Sequence, residues 1–203
     1  MQIEISTRYL DKDSIARFDK VKSKTENCYL EALRSSPINF LESEYLPRIY
    51  VIPFVRKVIL PDRWIFVFNE VLPDPLEEKY KAFFPSLPFL EVIEPKFVIA
   101  NFAHELAHVI DFAVKPNRIE ELWKKHKGNA RLVHEELEQK ISEEYYGRFK
   151  EPAKTWLYEL DEESNKNRVL NQINESGAEV REFRGIYAFG QFLKSPETFT
   201  KEI

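Results

Sequence analysis

The sequence predicts an α+β fold, and three observations carry that reading. Strand-like patterning is gathered between Arg48 and Leu72, helical periodicity dominates from Pro95 onward, and no repeat or low-complexity tract interrupts either region. Strands grouped early and helices grouped late imply a small mixed or antiparallel sheet packed on helices, with a mostly helical C-terminal half. A chain of 203 residues can bury such a core without disulfides, so residues 1–203 read as one domain.

The elements follow in order. Residues 14–35 place Ile15, Phe18, Val21, Leu30 and Leu33 among charges, which suits a surface helix or two short ones and makes 1–47 a helical N-terminal part. Residues 48–72, R-I-Y-V-I-P-F-V-R-K-V-I-L-P-D-R-W-I-F-V-F-N-E-V-L, are dense in β-branched and aromatic side chains and form the sheet. Pro53 cannot donate to a ladder and belongs at an edge or bulge, and Pro61-Asp62-Arg63 reads as the turn between two strands.

Residues 73–95 are too apolar for a disordered linker and too rich in proline for a continuous helix, so a packed loop is expected. Its Phe83, Phe84, Leu87 and Phe89 are candidates to cover a cleft and supply a side-chain pocket. A helix over 95–114 is then ended by Lys115-Pro116-Asn117, and further helical stretches cover 119–149, 152–163 and 165–194.

Composition limits the function. The net charge of −4 and pI near 5.7 lack the basic excess of a nucleic-acid binder, and no nucleic-acid partner is expected. Cys28 is the single cysteine, which excludes an intrachain disulfide and reads as a small buried hydrophobe. The N-terminal M-Q-I-E-I-S-T-R-Y-L-D-K-D carries acids where a signal peptide needs an apolar core, and no later run reads as a membrane span. A soluble cytoplasmic protein is the expectation.

One stretch carries chemistry. Residues 101–114, N-F-A-H-E-L-A-H-V-I-D-F-A-V, place polar groups on an otherwise apolar helix. At ~100° per residue, Asn101, His104, Glu105, His108 and Asp111 fall within an arc of about 120°. Such a stripe must meet buried partners, water or an ion, because unpaired polar groups cost roughly 1–3 kcal/mol each.

His104 and His108, at i and i+4, project two imidazoles to one point with Glu105 beside them, the H-E-x-x-H motif of zinc peptidases. Catalytic zinc takes three protein ligands and a water whose pKa falls to about 7, and Glu105 is the candidate base for that proton. Two core histidines bonded to carbonyls are the plain alternative.

The third ligand must come from elsewhere. Asp111 shares the face but is too short to reach an ion held by His104 and His108. Its expected role is in support, accepting a ligand histidine's other N–H or anchoring neighbouring backbone. Downstream, I-N-E-S-G-A-E-V-R-E-F at 173–183 places Glu175 and Glu179 one turn apart on the flank of the expected helix. One carboxylate could bind metal while the other orients an imidazole. A solvated acidic face is the ordinary reading of the same residues. Gly177 costs that helix about 1 kcal/mol relative to Ala and would permit close approach of another helix.

H-E-L-A-H at 104–108 followed by N-E-S-G-A-E at 174–179 resembles the gluzincin arrangement, and is similar to peptidases of the lethal factor and Pro-Pro endopeptidase type. The resemblance implies a zincin-like fold, Zn2+ as cofactor, Glu175 as third ligand and Glu179 as its support. Those relatives place a tyrosine about seven residues before the ligand glutamate, where this chain has Arg168. Tyr145, Tyr146, Tyr158, Tyr187 and His134 are therefore all candidates for oxyanion stabilisation. Tyr146 is preferred because Y-Y-G-R-F ends a helix, where a side chain can reach over a cleft.

The rival ligand set uses a third histidine. His134 lies on an apolar helical face, and His126 in W-K-K-H-K-G-N resembles the third histidine of SprT-like proteases. The resulting expectation is a zinc metallopeptidase acting on a peptide or protein substrate held along a sheet edge. Non-catalytic zinc-containing and metal-free interaction domains are the alternatives.

Overall fold

Helix α3 (Pro95–Val114) runs through the hydrophobic core of the protein, and the rest of the fold is arranged around it. The computed structural model describes residues 3–43, 45–60, 63–67, 71–73 and 81–195. Pro95 occupies the first turn of α3, where its missing N–H costs nothing. Ala100, Ala103 and Ala107 are fully buried and leave room for close neighbours.

Helix α1 (Lys12–Ser35) lies along one side of α3. Asp11 starts it by accepting the Ser14 N–H at 2.7 Å, and its Tyr29 ring sits 5.1 Å from Phe102. The expected 14–35 helix is thus one continuous element. Helix α2 (Leu87–Val92) precedes α3. It is followed by α4 (Arg118–Lys125), α5 (Ala130–Tyr145), α6 (Ala153–Asp161), α7 (Glu163–Glu175) and α8 (Gly185–Lys194). The α+β class and the helical C-terminal half stand.

The single sheet expected from 48–72 is instead two small ones. The strands are β1 (Ile5–Ser6), β2 (Arg48–Tyr50), β3 (Val55–Leu60), β4 (Arg63–Val67), β5 (Val71–Pro73), β6 (Lys81–Phe83) and β7 (Val180–Arg184). One sheet has the order β1-β2-β6-β5, the other β4-β3-β7. Both are mixed: β6 runs parallel to β2 and antiparallel to β5, and β3 runs parallel to β7 and antiparallel to β4. Pro53 lies between β2 and β3, where the chain leaves one ladder for the other. Leu60 pairs with Arg63, while the expected turn residues Pro61 and Asp62 lie outside the described residues.

Alternation places a core on each side of this layer. Ile49, Val51, Val55 and Phe83 join the main core with α1 and α3. Ile52, Phe54, Ala82 and Phe84 face a second cluster with Phe183, Phe192 and Leu193. The expected loop at 73–95 is corrected accordingly. It contains β6 and α2, and Phe83, Phe84, Leu87 and Phe89 are all buried in packing, not arrayed over a cleft.

The expected helix over 165–194 is also corrected. Gly177, at φ 69°, sits in the left-handed region just after α7 and stops it. A Cβ there would meet nothing within 4 Å, so chain reversal, not close helix approach, explains the glycine. The chain then enters β7, in register with β3 from Val55↔Val180 to Ile59↔Arg184. Likewise 119–149 is broken at Lys127 (φ 52°) and Gly128 (φ 77°), after which the Asn129 side chain caps α5.

At 20 residues, α3 is long and apolar enough to cross a membrane by length and composition, contrary to the expectation that no run is. Two-thirds of its most apolar window (67%) is buried inside the protein, as in the core helix of a folded domain.

Candidate metal centre

The helical spacing of His104 and His108 does what the sequence requires of it. Their rings lie 4.8 Å apart, and the two Nε2 atoms are 3.2 Å from each other. The third member of the group is Glu138, on α5. Its Oε2 is 3.2 Å from His104 Nε2 and its Oε1 is 3.2 Å from His108 Nε2. Ligand atoms of His104, His108 and Glu138 all lie within 4.8 Å of one another, the arrangement that could hold a metal ion.

A chemical test of fit is available in these distances. Zinc–ligand bonds of 2.0–2.1 Å at tetrahedral angles put neighbouring ligand atoms roughly 3.3 Å apart. Here the two Nε2 atoms are 3.2 Å apart, and each is 3.2 Å from a different oxygen of Glu138. Side-chain exposures of 17% for His104, 18% for His108 and 33% for Glu138 leave the group partly open to solvent. Two imidazoles and a carboxylate are a donor set that zinc accepts.

Electrostatics bind the three groups together. Burial pulls His104 down, but the Glu138 carboxylate outweighs it and raises the imidazole to about 9. Burial alone would raise Glu138, yet the two histidines hold it well below the usual carboxylate range. Glu105, only 7% exposed, is raised by burial despite the opposing influence of both histidines and of Arg56 on β3. Its carboxylate therefore shares the field of the centre.

The expected third ligand is not part of the group. Glu175 is exposed at the end of α7, and Glu179 is exposed beyond the Gly177 turn, where it pairs with Arg181 at 2.7 Å. Because α7 stops, the two are not stacked on one helix, and the ligand and support roles expected of them lose their geometric basis. His126 is also elsewhere, 2.7 Å from Glu136. His134 stands at the margin, its Nε2 3.6 Å from Glu138 Oε1.

Tyr146 is at the centre, but not where an oxyanion donor was expected. Its hydroxyl is 2.7 Å from His104 Nδ1, the nitrogen facing away from Glu138. Burial, then Asp161, push its ionisation far upward, so it is a phenol. Tyr158 packs edge-on against it with ring centroids 5.6 Å apart, and the Tyr187 side chain lies outside what is described.

Asp111 does neither of the things expected of it: its carboxylate meets the side chains of Tyr145 and Arg118, not a ligand histidine or neighbouring backbone. Its Oδ1 accepts from the Tyr145 hydroxyl at 2.8 Å and lies 2.8 Å from Arg118 Nη1. Arg118 in turn donates to both Glu144 oxygens at 2.9 Å. The pair fixes α3 against α4 and α5.

Glu138 was hidden among its neighbours, yet a signal exists. In α5, Glu135 has Arg131 four residues away, and Glu136, Glu143 and Glu144 each have Lys140 three or four away. Glu138 has no lysine or arginine at either spacing, and it borders the apolar stripe Val133, Leu137, Ile141 and Tyr145. A carboxylate without a cation on its own helix is one to pair across space. No protein-family model, curated protein or solved structure matches the chain.

Proposed function

We propose that the protein is a zinc-dependent metallopeptidase of zincin-like fold, with His104, His108 and Glu138 as ligands and Glu105 as general base. The observation that carries this reading is the convergence of two imidazoles and a carboxylate, their ligand atoms within 4.8 Å of one another, beside a buried carboxylate on the same helical turn. The His-His-Glu donor set is that of the gluzincins, supplied by a different glutamate from the one their sequence pattern implies.

Zinc held by this group supplies a Lewis acid that polarises a carbonyl and brings the pKa of a water to about 7. Glu105, beside that group on α3, would be placed to take up a proton and return it to a leaving amine. Burial raises its affinity for a proton, the direction a shuttle near neutral pH needs. The two histidines, and to a lesser extent Arg56 buried on β3, oppose that shift. An extended peptide beside an outer strand of the β4-β3-β7 sheet would gain main-chain hydrogen bonds with little dependence on its sequence.

A structural zinc site needs neither an open side nor a base next to its ligands, which favours the catalytic reading over a non-catalytic zinc domain. The experiment compares wild type with Glu105→Gln in a casein or peptide-library assay, on protein purified without a histidine tag. Zinc retained by both, with hydrolysis reduced at least ~100-fold in the variant, is the expected result. Full activity in Glu105→Gln removes the proposed base, and wild-type protein that takes up no metal removes the centre.

A further inference from the structure

We propose that Tyr146 is a positioning residue for the metal centre. Its hydroxyl fixes His104 in the tautomer that presents the Nε2 lone pair to the ion. This inference rests on the assignment of His104, His108 and Glu138 as ligands, and adds to it the group that orients one of them.

The argument begins with the imidazole. A neutral ring carries one N–H, and whichever nitrogen bears it cannot also ligate a metal. With His104 Nε2, which faces Glu138 and His108 at 3.2 Å, given to an ion, Nδ1 holds the ring's proton and needs an acceptor. The Tyr146 oxygen is 2.7 Å from Nδ1. The two ring nitrogens point apart, so a hydroxyl bonded at Nδ1 lies behind the ligand and away from the ion. That position suits support of His104 and not contact with a reacting carbonyl.

Burial, and after it the charge of Asp161 at the end of α6, keep the Tyr146 hydroxyl protonated. Packing holds it in place: Tyr146 is 1% exposed, edge-on to Tyr158 on α6 and to His104 on α3. The residue sits in the short 3-10 turn Tyr146–Arg148 that follows α5. One continuous segment thereby supplies both the third ligand and the group that orients the first.

The test measures Zn2+ affinity by competition with a chromophoric chelator on the full chain. Wild type, Tyr146→Phe, Tyr158→Phe and Glu138→Gln are compared, with thermal unfolding of each metal-free protein recorded alongside. Tyr146→Phe should bind zinc ~10–100-fold more weakly, the range found when a ligand's hydrogen-bond partner is lost. Tyr158→Phe removes a hydroxyl beside the same ring without touching His104 and should match wild type. A purely structural role would lower the unfolding temperature while leaving affinity unchanged.

Wild-type affinity in Tyr146→Phe overturns the proposal, and a selective fall in turnover there would return the residue to oxyanion stabilisation. If Glu138→Gln loses zinc while Tyr146→Phe does not, the centre stands and this inference alone falls. If wild type binds no zinc, both fall. Should Tyr146→Phe fail to fold, the tautomer of His104 in zinc-loaded wild type, read by 15N NMR, takes its place: a metal on Nε2 with a hydrogen-bonded Nδ1–H supports the proposal, and a metal on Nδ1 overturns it.

Discussion

Two polar clusters lie on the same face of α3, one to two turns apart, and both are closed by α5. Around Asp111, each acid has a permanent cation: Arg118 bridges Asp111 and Glu144, and Lys115 reaches Glu144 at 2.6 Å. Around His104 and His108 the composition is different. Among the described residues no lysine or arginine pairs with Glu138, and the groups that converge are electron-pair donors. The first cluster is complete as protein. The second could be completed by a metal ion, which would set a metal centre apart from a buried ionic lock.

The largest effect should come from breaking the lock. Arg118→Ala leaves Asp111 buried beside Tyr145 without its counter-charge, while Lys115 still serves Glu144. Removing one partner of a buried pair costs about 3–5 kcal/mol. Urea unfolding of the metal-free protein should show that loss. A change under about 1 kcal/mol would mean that Asp111 is solvated well enough to stand alone.

The complementary change is Glu138→Gln. It should weaken zinc binding by more than ~100-fold, above the range for loss of a ligand's supporting partner. Metal-free stability should also fall at neutral pH, because the amide no longer supplies the counter-charge that Glu138 gives His104. Glu175→Gln is the paired control and should bind zinc as wild type does, because Glu175 is exposed on α7. Loss of zinc in Glu175→Gln with retention in Glu138→Gln would restore the ligand set implied by the sequence pattern.

These clusters also show which part of the site was legible before the fold. His104, Glu105, His108 and Asp111 share a face because helical geometry is local, and α3 runs from Pro95 to Val114 as its pattern requires. The third ligand depends on which helix crosses that face, and periodicity does not encode it. Glu175 and Glu138 are both acids flanking apolar stripes; tertiary packing separates them. The same limit applies to β7, whose V-R-E-F-R is compatible with either state until β3 offers it a ladder. Gly177 was noticed in the sequence for closeness, whereas its positive φ makes it a stop.

The smallest predicted effect is the sharpest test of the contrast, because it uses neighbouring side chains. Tyr145 and Tyr146 are consecutive at the end of α5, and each hydroxyl meets α3: Tyr145 at Asp111, 2.8 Å, and Tyr146 at His104, 2.7 Å. Burial, then Asp111, push the Tyr145 hydroxyl up to about 12, consistent with a donor held against a carboxylate. Tyr145→Phe removes one hydrogen bond to a charged acceptor, about 1.5–3 kcal/mol at most because Arg118 remains on Asp111. It should therefore lower unfolding stability modestly and leave zinc affinity untouched. If Tyr145→Phe weakens zinc as much as Tyr146→Phe does, the two clusters act as one unit. Asp111 would then steer the ligand helix as well as lock it.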